Sequence, residues 1–279
     1  MPPPMSDSHN EPIAFIGGGN MASALIGGLL RRGLPANCIQ VIEPFAEQRA
    51  RLVQQFGIEV SEAPGAALQR ATLVVWAVKP QTFRDAAAQC RPHVQGALHL
   101  SVAAGIRSGT LAGWLGTERI VRAMPNTPAL IGQGMTALYA RPGASEADRR
   151  AAERVVQPTG EFLWLAEETR LDAVTALSGS GPAYVFYFIE AMVQAGTEMG
   201  LSPEQAHRLA VGTFVGASAL AREATEPPEV LRARVTSKGG TTHAALMSME
   251  QGGVKAAFIQ AIHAARQRAS DMGDEFGAQ

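Results

Sequence analysis

The chain has 279 residues, with 24 Lys plus Arg against 25 Asp plus Glu and a formal net charge of −1. That balance excludes the basic footprint of a nucleic-acid binder and the polybasic patch of a membrane-surface protein. The length leaves room for two domains, each with its own core.

Residues 1–10 (Met1-Pro2-Pro3-Pro4-Met5-Ser6-Asp7-Ser8-His9-Asn10) are polar and proline-rich, lack the apolar core of a signal peptide, and read as a disordered leader. Ile13–Ile16 reads as a short buried strand. Gly17-Gly18-Gly19-Asn20-Met21-Ala22 follows and fits G-x-G-x-x-A, with a helix pattern from Met21 to Arg32 and Gly33 as its stop. Between a strand and a helix this is a dinucleotide-binding turn: the first glycine makes the tight turn, the second admits a pyrophosphate, and Ala22 lets the helix pack closely. A second strand, Ile39–Ile42, ends at Glu43, where a carboxylate typically bonds the adenosine ribose. Glu43 therefore leans towards NADH; Arg49 and Arg51 leave NADPH open. A helix from Glu47 to Phe56 stops at Gly57.

Further strands are predicted at Leu73–Val78, Leu98–Val102, Ile120–Val121 and Phe162–Leu165, with an exposed helix over Ala144–Val156. The alternation predicts a parallel, doubly wound sheet. In such a sheet ligands bind outside the carboxyl ends of the strands. That places Ala77-Val78-Lys79-Pro80, Ala103-Ala104 and Asn126 in view of a cofactor. Lys79 either faces a phosphate or carboxylate or points to solvent. Ala103 and Ala104 leave room for a nicotinamide or form a plain turn. Asn126, between Pro125 and Pro128, either recognises an amide or caps a rigid turn. Among the histidines and two cysteines no ligand spacing appears, so no metal is expected. Cys38 and Cys90 read as free thiols of a cytoplasmic protein.

After Glu167 strand signals end. Helices are predicted from Pro182 to about Met199, from Pro203 (capped by Ser202) to about Ala224, from His243, and over Val254–Ser270, with a break at Glu226–Glu229. A domain boundary follows at 166/167, giving a nucleotide domain over 11–166 and a helical domain over 167–279. Ser178–Tyr184, at the start of this half, lines a site or turns the chain between domains. The stripe Ala206, Leu209, Ala210, Thr213, Phe214 and Ala217 lies on a helix with scarcely a polar side, which predicts a subunit interface. The most distinctive segment is Val235-Thr236-Ser237-Lys238-Gly239-Gly240-Thr241-Thr242, two glycines among hydroxyls at a helix start, a place that holds anions.

Together Ile16–Met21, Ala77–Pro80, Met124–Pro128, Ser178–Tyr184 and Val235–Thr242 resemble the pyrroline-5-carboxylate reductase family, over nearly the whole chain from Ile13 onward. The resemblance implies a Rossmann-like domain followed by an all-α dimerisation domain, with homodimers often assembled into larger rings such as a pentamer of dimers, a homodecamer. It implies NADPH or NADH as cofactor, held by Ile16, Gly17, Gly18, Gly19, Asn20, Met21, Glu43, Ala77, Val78, Lys79, Pro80, Ala103, Ala104 and Asn126. It gives the substrate 1-pyrroline-5-carboxylate to Ser237, Gly239, Gly240, Thr241 and Thr242, with the Thr242 hydroxyl on the ring nitrogen and L-proline as product. The family commonly has Pro where this chain has Lys238. Competing readings are a β-hydroxyacid dehydrogenase, an imine reductase of other substrate, or a non-catalytic nucleotide-binding scaffold. The first would carry a Lys on the helix beginning at Pro182, and none stands in Ala183–Glu190.

Overall fold

The computed structural model describes residues 11–278, so the expected leader lies outside the described residues. By contacts the described chain forms two compact units: one runs to Gly179 and includes Ala265 onward, and the other is Ser180–Ala264.

The first unit is built on strands β1 (Ile13–Ile16), β2 (Ile39–Ile42), β3 (Glu59–Ser61), β4 (Leu73–Trp76), β5 (Leu98–Ser101), β6 (Ile120–Met124), β7 (Gly134–Ala140) and β8 (Gly160–Trp164). They form one sheet in the order β3-β2-β1-β4-β5-β6-β7-β8. Every pairing is parallel except β6 with β7. That pair departs from the all-parallel expectation because residues 125–133 are too short to carry the chain back across a sheet face. The order of β3 to β6 is that of a dinucleotide-binding sheet, with β1 and β4 at the reversal.

Alternating side chains feed two cores, as the pleat requires. Phe15, Val41, Val75 and Leu100 lie on one face with Leu25, Ile26 and Val155. Ala14, Ile16, Val74 and Trp76 lie on the other with Phe83, Leu111 and Phe276. The covering helices of this unit are α1 (Asn20–Arg31), α2 (Ala46–Phe56), α3 (Pro80–Cys90), α4 (Ser108–Leu115), α5 (Glu146–Val156) and α6 (Arg170–Val174). Ser145 and Asp148 close a capping box at the start of α5.

Within the second core, Trp76 Nε1 donates to Nδ1 of His99 at 3.0 Å. Burial, reinforced by Arg119, holds the His99 imidazole near pKa 4, below its ordinary 6.5. Unfolding therefore binds a proton that the folded chain refuses. The contribution is complete above pH 6.5 and is lost as pH falls from 6.5 towards 4. Urea unfolding across that window should show declining stability, and His99→Gln should flatten the decline. Cys90 is buried in the same core, and burial lifts its thiol to about 12. It should resist a thiol reagent at pH 8 in the native state and react in denaturant.

The other helices are α7 (Gly181–Glu198), α8 (Pro203–Glu223), α9 (Pro228–Arg234), α10 (Thr241–Gln251) and α11 (Val254–Gly277). Helices α7 and α8 approach closely at Gly196, where an added Cβ would come within 2.9 Å of the Ala206 methyl. Phe258 packs edge-on against Tyr184 and Phe188. Few side chains here are buried: Ala206 and Ala210 are, but Leu209 of the same stripe, Phe186, Tyr187, Val215 and Leu220 are exposed. The last turns of α11 belong to the first unit, with Met272 against Gly105, Gly273 against Arg107, and Phe276 in its core. The helix thus continues seven residues past the expected end at Ser270.

The contact division at 179/180 differs from the composition boundary at 166/167. Residues 168–172 are tied to the first unit by buried charge. Arg107 grips Asp172 through two bonds, 2.9 and 2.8 Å, and Arg122 donates to Glu168 at 2.7 Å. Ser108 donates to Glu168 through its N–H and its hydroxyl. Burial pushes the Glu168 carboxyl up, but Ser108 and Arg122 more than offset this and hold it below its ordinary 4.5.

Candidate functional site

The carboxyl ends of β1, β2, β4 and β5 lie level, with Ile16 beside Ile42 and Trp76, and Trp76 beside Ser101. The backbone knits these ends together: Gly17 N–H donates to Ile42 O and Ala77 N–H to Ile16 O, both at 2.8 Å, and Val102 N–H donates to Trp76 O at 3.0 Å. Ile16–Met21, Glu43, Ala77–Pro80 and Ala103–Ala104 are therefore brought to one edge of one sheet.

Gly17 adopts φ +93°, and a Cβ there would stand 2.7 Å from the Ala77 carbonyl oxygen. Only glycine serves both the dihedral and the close approach. Gly19 differs: it is exposed, and a Cβ on it meets nothing within 4 Å. Gly19 is also the N-cap of α1, without a side-chain capping bond and with no acidic residue in the first turn. The uncapped N–H groups and the helix dipole suit a phosphate group. The chemistry and shape of this turn thus fit a dinucleotide.

Two predicted residues, Glu43 and Asn126, have their side-chain polar atoms engaged, whereas the Lys79 side chain is exposed. Glu43 is buried, with Oε2 accepting from Gly18 N–H at 2.8 Å and Oε1 from Phe45 N–H at 3.0 Å. Asn126 donates from Nδ2 to Ser178 O at 3.1 Å and accepts at Oδ1 from Met135 N–H at 2.9 Å, so its amide braces the loop after β6. Lys79 is the N-cap of α3, its carbonyl accepting from Thr82, and its side chain is exposed. One contributor that sequence reading missed is Gln48, whose side chain donates to Gly18 O and holds the turn from the far side.

In the second unit Gly240 N–H donates to Ser237 O at 3.0 Å, closing a turn in which Gly239 takes φ +76°. Positive φ at the third position defines a turn whose second position favours proline, and here Lys238 occupies it. A Cβ on Gly240 would strike the Ser237 hydroxyl at 2.6 Å. Gly240 caps α10 with no side chain, no acid lies in the first turn, and Thr241 and Thr242 are exposed there. Thr236 is anchored separately, its hydroxyl donating to Arg232 O at 2.6 Å.

The sheet order, the glycine turn at its reversal and the uncapped α1 define a dinucleotide-binding protein. Residues 168–272 match the family model for pyrroline-5-carboxylate reductase dimerisation, and residues 12–105 match one described as NADP oxidoreductase coenzyme F420-dependent. The chain is 45% identical to a pyrroline-5-carboxylate reductase of Pseudomonas aeruginosa over 95% of its own length and 98% of that protein. It superposes on the solved pyrroline-5-carboxylate reductase of Coxiella burnetii with TM-score 0.86 at 34% identity, covering 94% of this chain and 98% of that one. A Plasmodium falciparum pyrroline carboxylate reductase with NADP bound matches with TM-score 0.86 at 27% identity, covering 95% and 99%. The chain belongs to the pyrroline-5-carboxylate reductase family.

Proposed function

We infer that this chain reduces the C=N bond of 1-pyrroline-5-carboxylate to give L-proline, with NAD(P)H as reductant, as the last step of proline biosynthesis. Family membership over 95% of the chain carries the reading, because it spans both the nucleotide turn and the glycine–threonine loop. A bound NAD(P)H supplies the hydride for the C=N carbon. The chain's own residues bind and align. Gly17–Met21 cradle the pyrophosphate, and Ala77–Pro80, Ala103 and Ala104 border the cofactor along the sheet edge. In this division 11–166 is the nucleotide domain and 167–279 the dimerisation and substrate domain.

At the loop, the N–H groups of Gly239 and Thr241 and the Ser237 hydroxyl hold the substrate carboxylate, an anion at a helix N-terminus, while the Gly240 N–H closes the turn that presents them. The Thr242 hydroxyl bonds the ring nitrogen and orients it. A protonated imine accepts hydride far better than a neutral one, and the substrate can bring that proton itself. Alignment then accounts for most of the protein's work. The chain associates with copies of itself through the apolar helical faces, as dimers and as a pentamer of dimers. No described helix is long and apolar enough to cross a membrane, and we place the protein in the cytoplasm. The assignment is tested by following NAD(P)H absorbance with pyrroline-5-carboxylate added, and proline oxidation by the oxidised cofactor at alkaline pH. Nucleotide binding without turnover in either direction would return the scaffold reading.

A further inference from the structure

NADH and NADPH differ by one phosphate on the adenosine ribose, so the charges at the end of β2 decide between them. Glu43 stands at that end, and both its oxygens act as acceptors for backbone N–H groups of the glycine turn and the following loop. Its negative charge is therefore fixed beside the turn and cannot swing away. Arg49, in the helix that follows, is turned back on its own loop. Nη1 donates to the carbonyls of Glu43 at 3.0 Å and Pro44 at 2.6 Å, and Nη2 donates to Glu62 Oε2 at 3.0 Å. Arg51 lies two residues along α2, on its opposite side at about 100° per residue. Glu47, in the first turn of α2, adds a further negative charge.

We propose that Glu43, together with the capture of Arg49 by Glu62, makes this chain select NADH over NADPH. The inference rests on the dinucleotide reading above and goes beyond it by naming the preferred cofactor, although a relative at 27% identity has NADP bound. A 2′-phosphate brings a dianion up to a held carboxylate, while Arg49 already serves an acid and two carbonyls.

The test is calorimetric binding of ADP-ribose and 2′-phospho-ADP-ribose to the full-length protein at low salt. ADP-ribose should bind at least tenfold more tightly, and the ratio should shrink as salt screens the repulsion. Glu43→Gln and Glu62→Gln should each shift the ratio towards the phosphorylated ligand by about fivefold or more, the second by releasing Arg49. If Glu43→Gln fails to fold, the native ratio and Glu62→Gln decide. Equal or tighter binding of the phosphorylated ligand to the native protein, or a Glu62→Gln ratio that does not move, overturns the proposal. Failure of both ligands to bind overturns the dinucleotide reading and this inference with it.

Discussion

Gly17→Ala is expected to abolish useful nucleotide binding. Alanine at φ +93° carries backbone strain of about 1–3 kcal/mol. The added methyl would also lie 2.7 Å from the Ala77 carbonyl oxygen and 2.9 Å from its carbon, and backbone of the neighbouring strand cannot rotate aside. The turn must move away from β4, and with it the N–H groups that receive the pyrophosphate. Gly33 provides the control. Its φ is +94°, yet a Cβ there meets nothing within 4 Å, so Gly33→Ala carries strain without collision. Fluorescence titration with NADH should show an affinity loss well beyond tenfold for Gly17→Ala and little change for Gly33→Ala. Native affinity in Gly17→Ala would mean that this turn does not carry the cofactor.

Thr242→Ala should lower kcat/KM for pyrroline-5-carboxylate about tenfold or more, through one lost polar contact of roughly 1–3 kcal/mol. Thr242 lies in the first turn of an α10 that Gly240 caps without a side chain, so its hydroxyl has no part in capping that helix. Circular dichroism and melting temperature should therefore stay near native, which separates a site role from a structural one. Nucleotide affinity should also be unchanged. Native turnover with saturable substrate binding would remove Thr242 from the site.

Much of the fold could be read from local pattern. Strands β1 and β2 match their expected ends, α2 stops at the left-handed Gly57, and Ser202 caps α8 through a capping box, because each of these is set by residues within one turn or strand. What escaped is what local pattern does not encode. Strand β3 has three residues and none fully buried. Strand β7 reads Gly-Met-Thr-Ala-Leu-Tyr-Ala, too rich in small residues to announce itself. Helix α9 has seven residues, none of them buried. The Arg122–Glu168 and Arg107–Asp172 pairs join residues 46 and 65 positions apart, and they carry the chain after β8 back to the first unit.

The same limit applies at the site. The position of Glu43 at the end of β2 was visible, but not that its carboxylate serves the N–H of Gly18, 25 residues earlier. Asn126 offers an amide from its place between two prolines, and that amide braces Ser178 and Met135. In both cases the sequence shows the residue's place at a strand end. Its hydrogen-bond partners depend on how distant segments pack.

The most direct measurement is a coupled one: purified protein, NADH and pyrroline-5-carboxylate, with cofactor oxidation read by absorbance and proline by chromatography. One L-proline should form per NADH consumed, with no oxidation in the absence of the imine. Cofactor consumption that yields no proline, or a protein that binds NADH yet leaves the imine untouched, would contradict it.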